Sequence, residues 1–266
     1  MQVVELHGAR VPVIGLGTWD LRGEEGYRAV LRALSLGYRH IDTAEFYDNE
    51  REVGRAIKDS QVPRDAIFLT TKVWYTHLRF QDLIRSCEES LRKLGTDYVD
   101  LYLIHWPNEA VPLEESLEAM EKLKKDGKVR FIGVSNFDVD LLDKARRIAS
   151  SPILTDQVEY HPYLSQKPLL EYCQKNRVIL TAYSPLARGR LSQDPLLVRI
   201  AAKYGKTVAQ VVLRWLIEQD MVVAIPKAKD EKHQRENLEI FDFSLTEEEK
   251  EAIAHLDRGE KVATRL

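Results

Sequence analysis

The chain has 266 residues, of which 44% are hydrophobic and 30% charged, with a formal net charge of −3 and a sequence pI near 6.2. This balance is typical of a globular protein and disfavours a nucleic-acid binder or a basic protein of the membrane surface. No apolar run approaches the roughly 20 residues of a membrane span, and the N-terminus has no apolar signal core. The two cysteines, Cys87 and Cys173, lie far apart without a C-x-x-C motif, so we expect reduced thiols in a cytoplasmic protein.

The first elements along the chain are two short extended segments, residues 3–6 and 10–13, on either side of His7-Gly8-Ala9. This arrangement predicts a β-hairpin. Eight short runs rich in β-branched residues are then counted, at residues 13–17, 38–42, 67–72, 99–105, 131–135, 154–158, 178–183 and 222–226.

Amphipathic segments lie between these runs, with apolar residues at three- and four-residue steps, and several end at a glycine, as helices do. Alternating strands and helices predict a parallel sheet, and eight units in this length favour a (β/α)8 TIM barrel, an α/β fold. We expect one domain over residues 1–266, with the hairpin across the barrel bottom, because no linker or repeat divides the chain.

A doubly wound open sheet is the alternative fold. It usually carries a G-x-G-x-x-G motif after its first strand. Here Gly15-Leu16-Gly17 is followed by Thr18-Trp19-Asp20, so the third glycine is missing. The barrel is therefore the better interpretation.

Polar residues follow almost every predicted strand, and the carboxyl ends of the strands are where TIM barrels place their chemistry. Serine, asparagine and aspartate are common at such places for local reasons, because they form turns. A lysine that closes Leu69-Thr70-Thr71 and a histidine that closes Leu103-Ile104 are harder to explain as turn formers. The residues concerned are Thr18, Trp19, Asp42, Lys72, His105, Ser135, Asn136, Gln157, Tyr183, Ser184 and Lys227.

Asp42, Lys72 and His105 end three successive predicted strands, so their side chains can converge. Lys72 is the natural partner of Asp42, although a buried pair of this kind is often only structural, and a lone histidine is often a satisfied core residue. Tyr47 lies five residues after Asp42. A neighbouring lysine cation is expected to lower the pKa of a tyrosine, which makes Tyr47 a candidate general acid, with His105 donating a hydrogen bond to the substrate oxygen.

Four stretches carry a family resemblance: "GYRHIDTAEFYDNEREVGRAI", "TTKVW", "DYVDLYLIHWP" and "IGVSNF". They resemble the aldo-keto reductases over nearly the whole chain, and especially the bacterial members that reduce diketo-gluconates, methylglyoxal and other aldehydes. The resemblance implies a barrel that binds a nicotinamide dinucleotide without a Rossmann domain. It implies Tyr47 as proton donor for carbonyl reduction, within a tetrad completed by Asp42, Lys72 and His105.

The resemblance also implies the cofactor site. Ser135, Asn136 and Gln157 match the trio that binds the nicotinamide carboxamide, Tyr183 matches the aromatic residue that stacks on the ring, and Ser184 and Leu186 belong to the loop that covers the pyrophosphate. The complete implied set is Thr18, Trp19, Asp42, Ser135, Asn136, Gln157, Tyr183, Ser184, Leu186, Lys227, His233, Glu236 and Asn237.

The adenosine end departs from the family pattern. The stretch "IPKAKDEKHQREN" keeps Lys227, Glu236 and Asn237, but Ala228 stands at a hydroxyl position and His233 at an arginine position. Both missing groups would hold a 2′-phosphate, unless Lys229, Lys232 or Arg235 compensates. We therefore expect NADPH as cofactor with weakened discrimination, so that NADH is also used.

The expected substrate is a small carbonyl compound, in a pocket lined by Trp19, Phe46, Trp74, His105 and Trp106. We expect a monomer with no nucleic-acid or membrane partner and no metal. Two other functions stay open at this point: a non-catalytic, nicotinamide-binding regulatory subunit, and a metal-dependent hydrolase on the same fold. The intact tetrad counts against the first, and the absence of H-x-H and H-E-x-x-H counts against the second.

Overall fold

The barrel is formed by eight parallel strands in a computed structural model that describes residues 2–263; residue 1 and residues 264–266 of the predicted domain lie outside this range. The strands are β3 (Leu16–Gly17), β4 (His40–Asp42), β5 (Phe68–Val73), β6 (Val99–Ile104), β7 (Val129–Ser135), β8 (Ile153–Glu159), β9 (Ile179–Tyr183) and β10 (Val222–Ala224). All eight correspond to predicted strands. Most are buried along their whole length, as strands covered by helices on one face and by a packed interior on the other must be.

The sheet runs in sequence order from β3 to β10, each strand pairing in parallel with the next. It closes on itself where the segment before β3 meets β10. There Val13 O accepts from Ala224 N at 2.9 Å, and Gly15 N donates to Ala224 O at 2.9 Å. Gly17 is required at this seam, because a Cβ on it would lie 2.6 Å from the carbonyl oxygen of Ile225. The predicted (β/α)8 barrel is confirmed.

The N-terminal hairpin consists of β1 (Val3–Leu6) and β2 (Ala9–Pro12), which pair antiparallel. Leu6 and Val11 pack in one buried apolar cluster with side chains from the barrel interior, among them Phe68 and Ile179 at the starts of their strands. The hairpin therefore covers the end of the barrel where the strands begin, as predicted, and the opposite end stays free for a site.

The helices form the outer layer: α1 (Gly23–Ser35), α2 (Glu50–Asp59), α3 (Phe80–Leu94), α4 (Leu113–Lys125), α5 (Val139–Ile148), α6 (Lys167–Asn176), α7 (Pro195–Tyr204), α8 (Val208–Ile217), α9 (Glu231–Leu238) and α10 (Glu247–Ala254). The sequence EREVGRAIKD of α2 has few apolar residues, and its helix was not predicted. It is nevertheless amphipathic and buries Val53, Ala56 and Ile57. No helix within residues 2–263 is both long and apolar enough to cross a bilayer.

Candidate active site

Asp42, Lys72 and Tyr47 meet at the open end of the barrel. Asp42 is the last residue of β4, and Lys72 lies near the end of the neighbouring β5. The Nζ atom of Lys72 lies 2.6 Å from Oδ1 of Asp42, 2.8 Å from the carbonyl oxygen of Thr43 and 3.3 Å from the hydroxyl oxygen of Tyr47. The predicted Asp42–Lys72 ion pair is thus present, and Tyr47 shares the same cation.

The ion pair is almost fully removed from water, because Lys72 is 0% and Asp42 1% exposed. Its polar groups are well partnered: the second carboxylate oxygen of Asp42 accepts from Nε2 of Gln157 at 2.8 Å. Burial lowers the pKa of Lys72, but the neighbouring Asp42 carboxylate and Tyr47 outweigh that effect, and the pKa ends above its ordinary value. Lys72 is therefore a fixed cation at neutral pH.

Tyr47 lies on the 3₁₀ turn Glu45–Tyr47 that follows β4. Burial raises the pKa of its phenol; the charge of Lys72 acts in the opposite direction, and that of Asp42 adds to the rise. The prediction that Lys72 brings the net pKa of Tyr47 below its usual value is therefore wrong for this site, because the loss of hydration outweighs the cation. The cation reduces the cost of ionising Tyr47, but at neutral pH the group is a phenol that holds its proton.

His105 follows β6 and is 8% exposed. Burial, and then the charge of Lys72, holds the pKa of its imidazole well below the ordinary value of 6.5. The ring is consequently neutral at physiological pH, with one N–H to donate. Its Nδ1 atom is buried without a hydrogen-bond partner among the described residues.

Aromatic rings form the walls around this cluster. Phe46 and Trp74 stack with their ring centroids 3.9 Å apart, and Trp19 lies parallel to Phe46 at 6.2 Å. Trp19 and His105 also present ring edges to Tyr47, at 5.2 and 5.5 Å. All five residues predicted to contact substrate line one cavity of about 750 Å³, together with Tyr47: Trp19, Phe46, Trp74, His105 and Trp106.

The same cavity extends away from the tetrad over most of the predicted cofactor residues. Its size falls within the range of cofactor sites. The predicted residues that line it are Thr18, Trp19, Asp42, Asn136, Gln157, Tyr183, Ser184, Leu186, Lys227, His233 and Asn237. Ser135 and Glu236 do not line it: Ser135 is buried behind Asn136 and donates to the carbonyl oxygen of Gln157 at 2.6 Å, while Glu236 lies 3.8 Å from Lys232.

The donor set along this cavity suits a nicotinamide dinucleotide. The amides of Asn136 and Gln157 lie near the tetrad, and Asn136 is fixed by bonds to the His105 carbonyl and the Tyr183 hydroxyl, each at 2.9 Å. Two cationic side chains, Arg188 and Lys227, also line the cavity, and their charge suits phosphate groups. These amides and cations together suit the carboxamide and the phosphates of such a cofactor.

Several cations lie near the end of the cavity where Lys227 and His233 line it, but most of them are paired with carboxylates. Ala228 is buried and offers no hydroxyl. Nδ1 of His233 lies 2.6 Å from Asp230, the N-cap residue of α9. The three residues considered as replacements for the missing groups do not line the cavity, and each is paired with a carboxylate: Lys229 with Glu25, Lys232 with Glu236 and Arg235 with Glu231.

Three features of the site were not predicted from the sequence. The first is Arg188, which lines the cavity from the loop after β9 and has a positive φ of 52°. The basic run "ARGR" is the sequence signal that indicates it. The carboxylate of Glu45 binds Trp74 N and His77. The backbone N–H groups of Val262 and Ala263 donate to Glu159, which places Ala263 on the cavity wall.

The model of the Aldo/keto reductase family matches residues 13–258. The chain is 44% identical over 261 residues to glyoxal reductase of Bacillus subtilis (strain 168), covering 97% of this chain and 94% of that protein. It is 42% identical over 257 residues to methylglyoxal reductase DkgB of Escherichia coli O157:H7, covering 96% of each. The chain belongs to the aldo/keto reductase family.

The family assignment agrees with solved structures as well. The crystal structure of an aldo-keto reductase of Bombyx mori in complex with NADP has a TM-score of 0.92 and 33% identity, covering 98% of this chain and 94% of that one. The chain is therefore an oxidoreductase that reduces small carbonyl compounds with a nicotinamide cofactor, as predicted. Nothing favours a non-catalytic subunit. Among residues 2–263, no His, Cys, Asp and Glu side chains are grouped as metal ligands would be.

Proposed function

We propose that Tyr47 is the proton donor in the reduction of small aldehydes and 2-oxoaldehydes. One observation carries the proposal: Nζ of Lys72 reaches both the Asp42 carboxylate, at 2.6 Å, and the Tyr47 hydroxyl, at 3.3 Å. When bound, the reduced nicotinamide supplies the hydride to the carbonyl carbon. The phenol of Tyr47 gives its proton to the carbonyl oxygen, and the resulting phenolate lies beside a fixed cation that stabilises it.

Asp42 and Lys72 act through Tyr47. Because burial raises the pKa of the phenol, proton transfer from it would be costly without a nearby positive charge. Lys72 supplies that charge, and Asp42 holds the lysine in place with one oxygen while Gln157 binds the other. Asp42 therefore positions the Lys72 ammonium group beside the Tyr47 hydroxyl and does not itself transfer a proton.

His105 is proposed to orient and polarise the substrate carbonyl. A neutral imidazole can donate one hydrogen bond but cannot act as an acid at physiological pH, since its pKa lies well below 6.5. Its ring makes T-shaped contacts with Tyr47, at a centroid distance of 5.5 Å, and with Trp74, at 5.1 Å. A carbonyl oxygen between Tyr47 and His105 would therefore receive a proton from the first and a hydrogen bond from the second.

The cofactor would be held by residues along the cavity. Asn136 and Gln157 offer amide groups for the carboxamide, with Ser135 as support behind them, and Tyr183 offers a ring face to the nicotinamide. Ser184, Leu186 and the unpredicted Arg188 lie in the loop beside the expected pyrophosphate position. Lys227, His233 and Asn237 would complete the adenosine end, and Glu236, which does not line the cavity, directly precedes Asn237 in the chain.

Both NADPH and NADH are proposed to serve. A 2′-phosphate needs donors, and at this end the structure offers Lys227, 3.8 Å from Asp20, and His233, which Asp230 already engages. The buried Ala228 contributes no hydroxyl. Steady-state kinetics with each cofactor test the proposal. A kcat/KM preference for NADPH of about a thousandfold, roughly 4 kcal/mol, would contradict it.

The proposed substrate class rests on the size and character of the reacting end of the cavity. Trp19, Phe46, Trp74 and Trp106 surround Tyr47 with apolar rings and leave the tetrad as the polar focus. This setting suits short carbonyl compounds such as those named in its relatives, glyoxal reductase and methylglyoxal reductase. The test is turnover of methylglyoxal, glyoxal and short aldehydes; absence of turnover on all of them despite cofactor binding would overturn it.

We further propose that the enzyme works as a monomer in the cytoplasm. Every residue assigned above to catalysis or to cofactor binding comes from one chain, so no partner subunit is needed to complete the site. Light scattering of the purified protein tests this, since a stable dimer at assay concentrations would contradict it.

A further inference from the structure

Glu45 joins the two segments that carry the catalytic tyrosine and lysine. It begins the turn Glu45–Tyr47, and its side chain is 13% exposed. Its Oε1 atom accepts from the backbone N–H of Trp74 at 2.8 Å and lies 2.8 Å from Nδ1 of His77. Trp74 directly follows β5, the strand of Lys72. One carboxylate therefore fixes the turn that carries Tyr47 to the end of the strand that carries its cation.

The contact between Glu45 and Trp74 also links the two aromatic residues of the cavity wall. Phe46 is covalently next to Glu45, and its ring stacks on that of Trp74 at 3.9 Å and an interplanar angle of 10°. Trp74 is in turn tied back to Glu45 through its N–H. The hydrogen bond therefore holds together the two backbone segments that carry the rings, which favours the stacked arrangement.

This stack divides two cavities. Phe46 and Trp74 line the active-site cavity, and together with Glu45 they also line a second cavity of about 580 Å³. The far wall of the second cavity is formed by polar side chains of α3, including Asp82, Arg85 and Lys93. The rings are therefore a partition, and a displacement of either one would join the second space to the first.

We propose that Glu45 is a positioning residue that holds the Phe46–Trp74 partition in place and thereby sets the upper size limit of the carbonyl substrate. This inference rests on the proposed function, because it takes the cavity beside Tyr47 as the substrate site. Loss of the carboxylate frees the N–H of Trp74 and loosens the stack. Larger aromatic aldehydes then gain room, while small substrates lose contact with the wall and with a well-placed Tyr47.

Glu115 offers a matched control. Its carboxylate also binds a backbone N–H, that of Phe80 at 2.9 Å, and a basic side chain, Arg79 at 2.9 Å. It lies on α4 and lines neither cavity. Glu115→Ala thus removes a contact of the same kind without touching the partition.

The experiment compares kcat/KM for 2-naphthaldehyde and for methylglyoxal in wild type, Glu45→Ala, Glu45→Gln and Glu115→Ala. We expect Glu45→Ala to raise the ratio of naphthaldehyde to methylglyoxal at least about tenfold, equivalent to roughly 1.4 kcal/mol. Glu45→Gln keeps an acceptor oxygen for Trp74 N and should restore the wild-type ratio. Glu115→Ala should match wild type. If Glu45→Ala does not fold, Glu45→Asp, which is one methylene too short, takes its place.

Two results would overturn the proposed role of Glu45 but not the proposed function. The first is a naphthaldehyde-to-methylglyoxal ratio of Glu45→Ala equal to that of wild type. The second is a ratio of Glu45→Gln shifted as far as that of Glu45→Ala. In both cases wild type still reduces methylglyoxal, and the proposed function stands. Failure of the wild-type protein to reduce either aldehyde would overturn both proposals.

Discussion

Replacement of Tyr47 by phenylalanine separates the chemistry of the site from its packing. The ring contacts with Trp19, at 5.2 Å, and with His105, at 5.5 Å, do not involve the hydroxyl and should survive. The hydroxyl itself contacts Lys72 at 3.3 Å, which is long for a hydrogen bond, and Lys72 keeps Asp42 at 2.6 Å. We therefore expect the free energy of unfolding to change by no more than about 1.5 kcal/mol.

The effect on the rate should be much larger. Loss of a positioned general acid lowers rates by roughly 10²- to 10⁴-fold, which corresponds to about 2.7 to 5.4 kcal/mol of barrier. The assay is the oxidation of NADPH and of NADH at saturating methylglyoxal, with urea denaturation of the same samples. Tyr172→Phe is the control, because that hydroxyl binds Asp143 and Arg146 on the outside of the barrel.

Two outcomes would refute the reasoning about Tyr47. The first is a Tyr47→Phe enzyme with nearly wild-type kcat, which would mean that another group donates the proton. The second is a loss of activity matched by a loss of stability, with weakened cofactor binding, which would make Tyr47 a structural residue. The Tyr172→Phe control should keep kcat within about twofold of wild type.

Three further predictions concern pH, packing and cofactor choice. Burial and the charge of Lys72 keep His105 neutral in the folded protein, whereas the unfolded chain takes up a proton on this histidine as the pH falls through 6.5, so the free energy of unfolding decreases below that pH. In urea titrations, His105→Gln should make the decrease of the free energy of unfolding with falling pH shallower by up to about 1.4 kcal/mol per pH unit. Gly54→Ala would stabilise an exposed helix, but here the new Cβ would collide with the backbone of Leu94, so we expect a loss of about 1–3 kcal/mol in the same titrations. Ala228→Ser combined with His233→Arg should raise the NADPH-to-NADH ratio of kcat/KM by roughly tenfold or more, because it restores a hydroxyl and a guanidinium for a 2′-phosphate; an unchanged ratio would show that this end of the cavity does not contact the phosphate.

The barrel and the residues of the tetrad could be predicted because their signals are local in the sequence. Buried strands are short β-branched runs, and a lysine or histidine at the end of such a run has few structural explanations. Parallel pairing places Asp42 opposite Thr70, two residues before Lys72, and the long side chain of Lys72 reaches the Asp42 carboxylate from there. The family resemblance gave the same four residues from long, ordered motifs.

Features that depend on three-dimensional environment were not predictable in the same way. The pKa of Tyr47 is set by competition between lost hydration and the charge of Lys72, and only the folded environment decides which is larger. The pairing of Lys229 with Glu25 of α1 joins residues 204 positions apart, and it depends on how distant segments pack. Glu45 lies within the most informative stretch of the sequence, but its partners, Trp74 and His77, are visible only after β5 is placed beside the turn.

The seam between Val13, Gly15 and Ala224 has a consequence for biosynthesis. His105, the last tetrad residue to be synthesised, precedes Ala224 by 119 residues. At roughly 5–20 residues per second, a ribosome needs about 6–24 s to cover that distance. During this time the nascent chain carries every tetrad residue but cannot yet close the barrel that brings cofactor and substrate together. Premature termination before Ala224 should therefore yield a product without partial activity, with an open sheet edge for chaperones to protect.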